Sequence, residues 1–155
     1  EIRHVEGVIA KMEKQMEEII TAHHQQMFAR LKSIPGIGKR TAMLLIVITD
    51  GFTRFETSKQ LVGYIGLCPR IYDSGTSVKG KQKICKMGMS QARALLYLCA
   101  MSASKRNQSC VEMVARLKER GKNGKLILVA VANKLVKQAF AIATTEKYYE
   151  PKLIA

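Results

Sequence analysis

The sequence predicts an all-α fold, and three observations predict it. Apolar residues recur at three- and four-residue steps through most of the chain, the spacing that lines one face of a helix. Helix punctuation stands where helices should start and stop: Thr57 three residues before Gln60, and Asp50-Gly51, Gly63 or Gly66, and Gly121 after apolar runs. The one long exception is Gly66 to Arg93, with neither helical nor strand periodicity. A long loop inside a compact domain is usually functional, so the helices read as a scaffold that presents it.

Bulk properties narrow the function. A chain of 155 residues suits one domain, with room for an appendage and a real core. With 47% hydrophobic and 25% charged residues, global disorder is excluded. Twenty-six Lys and Arg against twelve Asp and Glu leave +14 and a pI near 9.9. That balance calls for a polyanionic partner, nucleic acid first. A membrane surface is the rival, set aside because no basic amphipathic helix carries aromatic anchors. No uninterrupted apolar run looks long enough to cross a bilayer, and no signal-peptide pattern is seen. Cys68, Cys85, Cys99 and Cys110 lack the spacing of a zinc site and have no histidine nearby. They read as buried or idle thiols of a reducing cytoplasm. A start at Glu1 without an initiator Met suggests a piece of something longer.

Residues 1–32 read as one connector helix. Ile2, Val5, Ile9, Met12, Met16 and Ile19 fall on a and d positions of a heptad, and the seam loses apolarity at His23 and Gln26. Glu13, Lys14, Glu17 and Glu18 fall on its outer faces. A dimerising coiled coil and a helix packed on its own domain are both open. Residues 33–145 form the main domain, and 146–155 a tail.

The main domain opens with Leu31-Lys-Ser-Ile-Pro-Gly-Ile-Gly-Lys-Arg-Thr-Ala42, the pattern of a helix-hairpin-helix. Gly36 and Gly38 let backbone turn tightly and approach a phosphate. The helix beginning near Lys39 points free N–H groups and the positive end of its dipole at that phosphate. Lys39 and Arg40 add charge there. Such a turn holds backbone and reads no sequence; the alternative is glycines used only for close helix packing.

Ala42–Thr49 reads as a buried helix ended by Asp50-Gly51, and Thr57/Gln60 as a capping box. After the basic loop, Ser90 can cap a helix whose buried face is Ala92, Leu95, Leu96, Leu98, Cys99 and Ala103. Gln108 to Arg120 is the next, with Val111, Val114, Ala115 and Leu117 inward. Leu126–Thr144 is a strongly apolar core helix. Arg116, Lys118, Arg120, Lys122 and Lys125 read as a solvated face.

The loop holds Arg70, Lys79, Lys81, Lys83, Lys86 and Arg93 against one acid, Asp73, with Ser74 and Ser77 among them. An exposed serine among cations can attack a phosphodiester and conserve the bond as phosphoserine, if another group takes its proton. No His or paired acid in the loop supplies that group, and on composition a loop serine is first a turn-former.

The ordered motifs IPGIG-TA, RF, L-xx-YIGLCP, SG and K-x-G-x-x-x-x-R are similar to those of one transposase domain, from Leu31 to Thr144. The chain resembles the C-terminal domain of insertion-sequence one-ten family transposases, serine-dependent DNA recombinases. It departs at Lys86-Met-Gly-Met-Ser90, where the family has Asn in the place of Met89. The resemblance implies Ser74 as nucleophile, with Ser77 the fallback. It implies DNA-binding by the hairpin and the loop cations, DNA as partner, in some members a guide RNA, and a bacterial, nucleoid-associated location. It also implies an N-terminal nuclease-like domain whose four acids bind Mg2+, joined through a coiled coil. This sequence lacks those acids, so the 155 residues alone are expected to be catalytically silent, with no metal or cofactor of their own. The alternative is a helix-hairpin-helix module that grips DNA or RNA backbone and does no chemistry.

Overall fold

The structure is a computed structural model. It describes residues 2–70, 73–74, 78–79, 83–85 and 87–151, and at 70, 73, 74, 78, 79 and 83 the backbone only. Six helices carry the fold: α1 (Ile2–Lys32), α2 (Lys39–Thr49), α3 (Ser58–Ile65), α4 (Ser90–Arg106), α5 (Gln108–Glu119) and α6 (Gly124–Thr145). The all-α expectation holds for the body. The basic segment is corrected: it carries two nested antiparallel ladders. β1 (Pro69–Arg70) pairs with β4 (Lys83–Ile84), and β2 (Asp73–Ser74) with β3 (Val78–Lys79). Each strand is two residues long, too short for alternation to register.

α6 is the centre of the core, packed against α1, α3, α4 and α5. Its Val131, Leu135, Val136 and Ala139 are fully buried. By length and a mean hydropathy of 1.7 it could cross a membrane, contrary to the reading that no run is long enough. Half of that stretch is buried against the other helices, so here it serves as a core helix.

α1 divides in two. Phe28 and Leu31 dock its C-terminal part, and Ile20 docks the end of the part before it. The helix leaves ideal dihedrals at His24 (φ −134°, ψ 31°), whose ring lies against Gly51. The half before it keeps its a and d residues in solvent.

Helix ends follow the local code where one exists. Thr57 and Gln60 form both halves of the capping box, and Gly66 ends α3 in the left-handed region at φ 82°. Three expectations fail locally. Ser90 is the first helical residue and Met89 takes the cap position without a side-chain bond. Leu98, at 60% exposure, faces solvent while Ala100 takes the buried place, because α4 turns its smallest residues inward to approach α6 closely. On α5, Ala115 is exposed and the fully buried contacts come from Ser109 and Cys110.

One polar cluster ties the core to the turn before α2. Asn107 donates to Gln138 Oε1 at 2.9 Å and to the Pro35 carbonyl at 3.4 Å. Its Oδ1 accepts from the Ser109 and Tyr149 hydroxyls, and Gln138 donates to Ser109. The Tyr149 N–H donates to Ser33 Oγ, so the tail reaches the same turn. Among the described residues every buried side-chain nitrogen and oxygen has a partner. Burial raises the Tyr149 hydroxyl above the ordinary phenol value. Its protonated form is thus favoured by folding, and that stabilisation fades as pH rises past the unfolded phenol value. Asn107→Ala should cost about 2–4 kcal/mol, since it removes a cap and strands two buried partners. A denaturant midpoint unchanged in the variant would contradict this.

Candidate nucleic-acid interface

The turn from Ser33 to Gly38 is held from both sides. Ser33 Oγ donates to the Arg30 carbonyl at 2.6 Å, and the Ile37 N–H to the Ile34 carbonyl at 3.0 Å, with both isoleucines buried. The two glycines do different work. Gly36 sits at φ 105°, and a Cβ there would lie 2.6 Å from the Ala103 Cβ and 3.0 Å from Ala103 backbone. Its need for glycine is therefore already explained by packing on α4. Gly38 has ordinary dihedrals (φ −89°, ψ 174°), and a Cβ there would meet nothing within 4 Å. It caps α2 without a side-chain bond, so no cap side chain occupies the first-turn N–H groups.

Lys39 and Arg40 lie in that first turn, and each is engaged within the chain. Lys39 pairs with Glu17 and Arg40 with Glu13, so two acids expected on the outer face of α1 turn toward α2 instead. Four residues apart, Glu13 and Glu17 share one helix face, and together they staple α1 to the start of α2. Side-chain exposures of 31–64% make these pairs worth roughly 0–1 kcal/mol each, weak enough for a phosphate to displace. Buried behind them, Thr41 Oγ1 lies 3.1 Å from Cys99 Sγ and fixes α2 on α4.

The basic arm rises between α3 and α4. At its foot Gly66 and Gly88 let backbone cross backbone: a Cβ would lie 2.5 Å from the Met87 carbonyl oxygen at Gly66 and 2.2 Å from that of Tyr64 at Gly88. Arg93 is the clamp, its guanidinium donating to the Ile65 carbonyl at 2.9 Å. That contact gives Arg93, expected among the DNA-binding cations, a structural task as well. In the arm, Arg70 and Lys83 are register partners on the outer ladder. On the inner ladder Asp73 stands opposite Lys79 and Ser74 opposite Val78. Ser77, Lys81 and Lys86 lie outside the described residues.

Arm and hairpin do not converge. Gly36 contacts Ala103 while Arg93 secures the arm, ten residues apart on α4, which is roughly 15 Å of helix. Arg116, Lys118, Arg120, Lys122 and Lys125 are all exposed on α5, the turn after it and the first turn of α6, as a solvated face requires. Among the described residues no three of His, Cys, Asp and Glu come together, so they do not form the carboxylate set that Mg2+ takes. What sequence reasoning missed is the Glu13 and Glu17 pairing; their four-residue spacing was the available signal.

Comparison with known proteins gives a consistent picture. The chain is 31% identical over 156 residues to the pilin gene-inverting protein of Moraxella lacunata, spanning 98% of this chain and 48% of that protein. It is 29% identical over 144 residues to the insertion element IS110 uncharacterized 43.6 kDa protein of Streptomyces coelicolor, covering 93% and 35%. It is 28% identical over 156 residues to the transposase for insertion sequence element IS1111A of Coxiella burnetii, covering 96% and 41%. The chain thus spans about half the length, or less, of the curated relatives it matches. The model of the transposase IS116/IS110/IS902 family matches residues 28–115, more than half of the sequence, and the chain belongs to that family.

Proposed function

We propose that this chain is the DNA-binding, serine-bearing part of a transposase that cuts and rejoins DNA strands through a phosphoserine at Ser74. The observation that carries the reading is the basic arm: a segment whose backbone is paired in two ladders, clamped at its foot by Arg93, with Ser74 opposite Val78. A nucleophile must be held against the scissile phosphate with cations around it, and the arm supplies both the holding and the charge. Ser77 is the fallback nucleophile. The hairpin is a helix-hairpin-helix that grips backbone through Gly36, Gly38, Lys39 and Arg40. Lying roughly 15 Å from the arm's foot along α4, it holds phosphates some base pairs away from the reacting one. Mg2+ and the proton acceptor come from acids outside these residues, in a cytoplasmic, nucleoid-associated enzyme.

Binding of the chain to duplex and branched DNA across a salt series tests the reading. A steep salt dependence with little sequence preference supports it, whereas preference for RNA over either DNA would favour a guide-RNA role. In the same assay the double variant Glu13→Gln/Glu17→Gln should bind DNA several-fold more tightly and steepen the salt slope by about one to two, since it releases two cations. An unchanged slope would remove the hairpin from the interface.

The exposed seam of α1 supports a homodimer. Ile2 (78% exposed), Ile9 (47%), Met12 (59%) and Ile19 (62%) keep the heptad pattern in solvent while Glu13, Glu17 and Ile20 face the domain. A second copy of the helix would cover the seam as a coiled coil. Light scattering should give a dimer for the wild type and a monomer for Ile9→Lys; a wild-type monomer at high concentration would discard the idea.

A further inference from the structure

Cys68 and Cys85 face each other across the neck of the basic arm. The outer ladder pairs Pro69 with Ile84 and Arg70 with Lys83. One step beyond the ladder the same register sets Cys68 opposite Cys85, and the Cys85 N–H donates to the Cys68 carbonyl at 2.8 Å. Pro69 has no N–H, so its rung is the one without mutual hydrogen bonds, and the cysteine position beside it carries the single hydrogen bond from Cys85 to Cys68. Partner Cα atoms on such a rung stand about 5.5 Å apart, inside the ~4.4–6.8 Å span of disulfides, while Cβ atoms about 4.5–5.5 Å apart leave the two strands a small inward shift to make as the bond forms. Side chains of one rung project to the same face of a ladder. Both thiols are half-buried, and they lie close enough to affect one another: after burial, the Cys85 thiol is the next cause holding Cys68 above the ordinary range. The other two cysteines are placed differently. Cys99 and Cys110 are buried in the helical body, and burial pushes the Cys110 thiol up to about 11.

We propose that Cys68 and Cys85 are a dithiol redox site that reacts with a small-molecule disulfide, of the oxidised-glutathione type, to close a disulfide across the neck of the arm. One protein thiolate attacks the small disulfide, giving a mixed disulfide and releasing one small thiol. The second protein thiolate attacks the bound protein sulfur and releases the other. Two protein thiols give up two electrons and two protons, and the small disulfide takes them to become two thiols. The crosslink ties the start of β1 to the end of β4, so the base of the Ser74-bearing segment becomes covalently closed. The site stands on the ladder register and goes beyond the nucleic-acid reading; the chemistry holds whether or not the arm acts on DNA.

The test uses the reduced 155-residue chain with oxidised glutathione, followed by free-thiol counting after denaturation and non-reducing peptide mapping. Two of the four thiols should disappear together, with the Cys68 and Cys85 peptides linked within one chain and Cys99 and Cys110 still free. Cys85→Ser should lose the link and stop at a mixed disulfide with glutathione on Cys68, and reduction should restore all thiols of the wild type. Stable glutathione adducts on both cysteines of the wild type, a Cys68 link to a different chain, or four thiols surviving under conditions that oxidise the denatured chain would each overturn the proposal.

Discussion

Gly36→Ala is expected to destabilise the fold by about 2–4 kcal/mol, from overpacking together with a side chain forced to positive φ. The added Cβ would fall 2.6 Å from the Ala103 Cβ, and α4 cannot retreat without opening its packing against α6. For a chain of this size that corresponds to a melting temperature lowered by roughly 5–15 °C. Gly38→Ala, two residues away, should leave the melting temperature within about 2 °C, because its dihedrals suit any residue and nothing lies within 4 Å. The two variants thus separate folding from binding. If the hairpin touches phosphate, Gly38→Ala should weaken DNA affinity several-fold at unchanged stability, since a methyl group holds the phosphate off the uncapped N–H groups. A second substitution, Ala103→Gly, should restore part of what Gly36→Ala loses by removing the nearer of the clashing atoms. Equal thermal losses at Gly36 and Gly38 would refute the packing account; thermal scans of the purified variants decide it.

If Ser74 is the nucleophile proposed above, Ser74→Ala in the whole transposase is expected to abolish strand exchange, a loss on the order of 10³-fold or more. DNA affinity should change by less than about twofold, because the cations of the arm and the hairpin remain. A denaturing gel should reveal a protein–DNA adduct with the wild type and with Ser77→Ala, and none with Ser74→Ala. Recombination persisting in Ser74→Ala would end the assignment, and an adduct lost only in Ser77→Ala would move the nucleophile across the turn. An adduct absent from all three, with binding intact, would leave a module that grips DNA without chemistry.

The parts of the molecule legible in its sequence are those decided within a few residues. The capping box at Thr57 and Gln60 and the left-handed stop at Gly66 formed as their local chemistry requires. The heptad residues of α1 lie on one exposed face, and the apolar run near the C-terminus became the core helix α6. The arm was legible as an unusual segment but not as ladders. Two-residue strands bond to partners up to fifteen positions away in the chain, and nothing in their own residues announces the pairing.

Charge and its concentration in the arm were determined by sequence alone, as were the helices, most of their ends and the motifs that carry the family resemblance. Only the tertiary structure decided what those residues face. It set Lys39 and Arg40 on Glu17 and Glu13, gave Gly36 to Ala103 and Arg93 to the Ile65 carbonyl, gathered Asn107, Ser109, Gln138 and Tyr149, and brought Cys68 to Cys85. The reason is physical. Caps and periodicity are energies of neighbouring residues, whereas each of these partnerships joins groups that approach only when packed helices or paired strands carry them together.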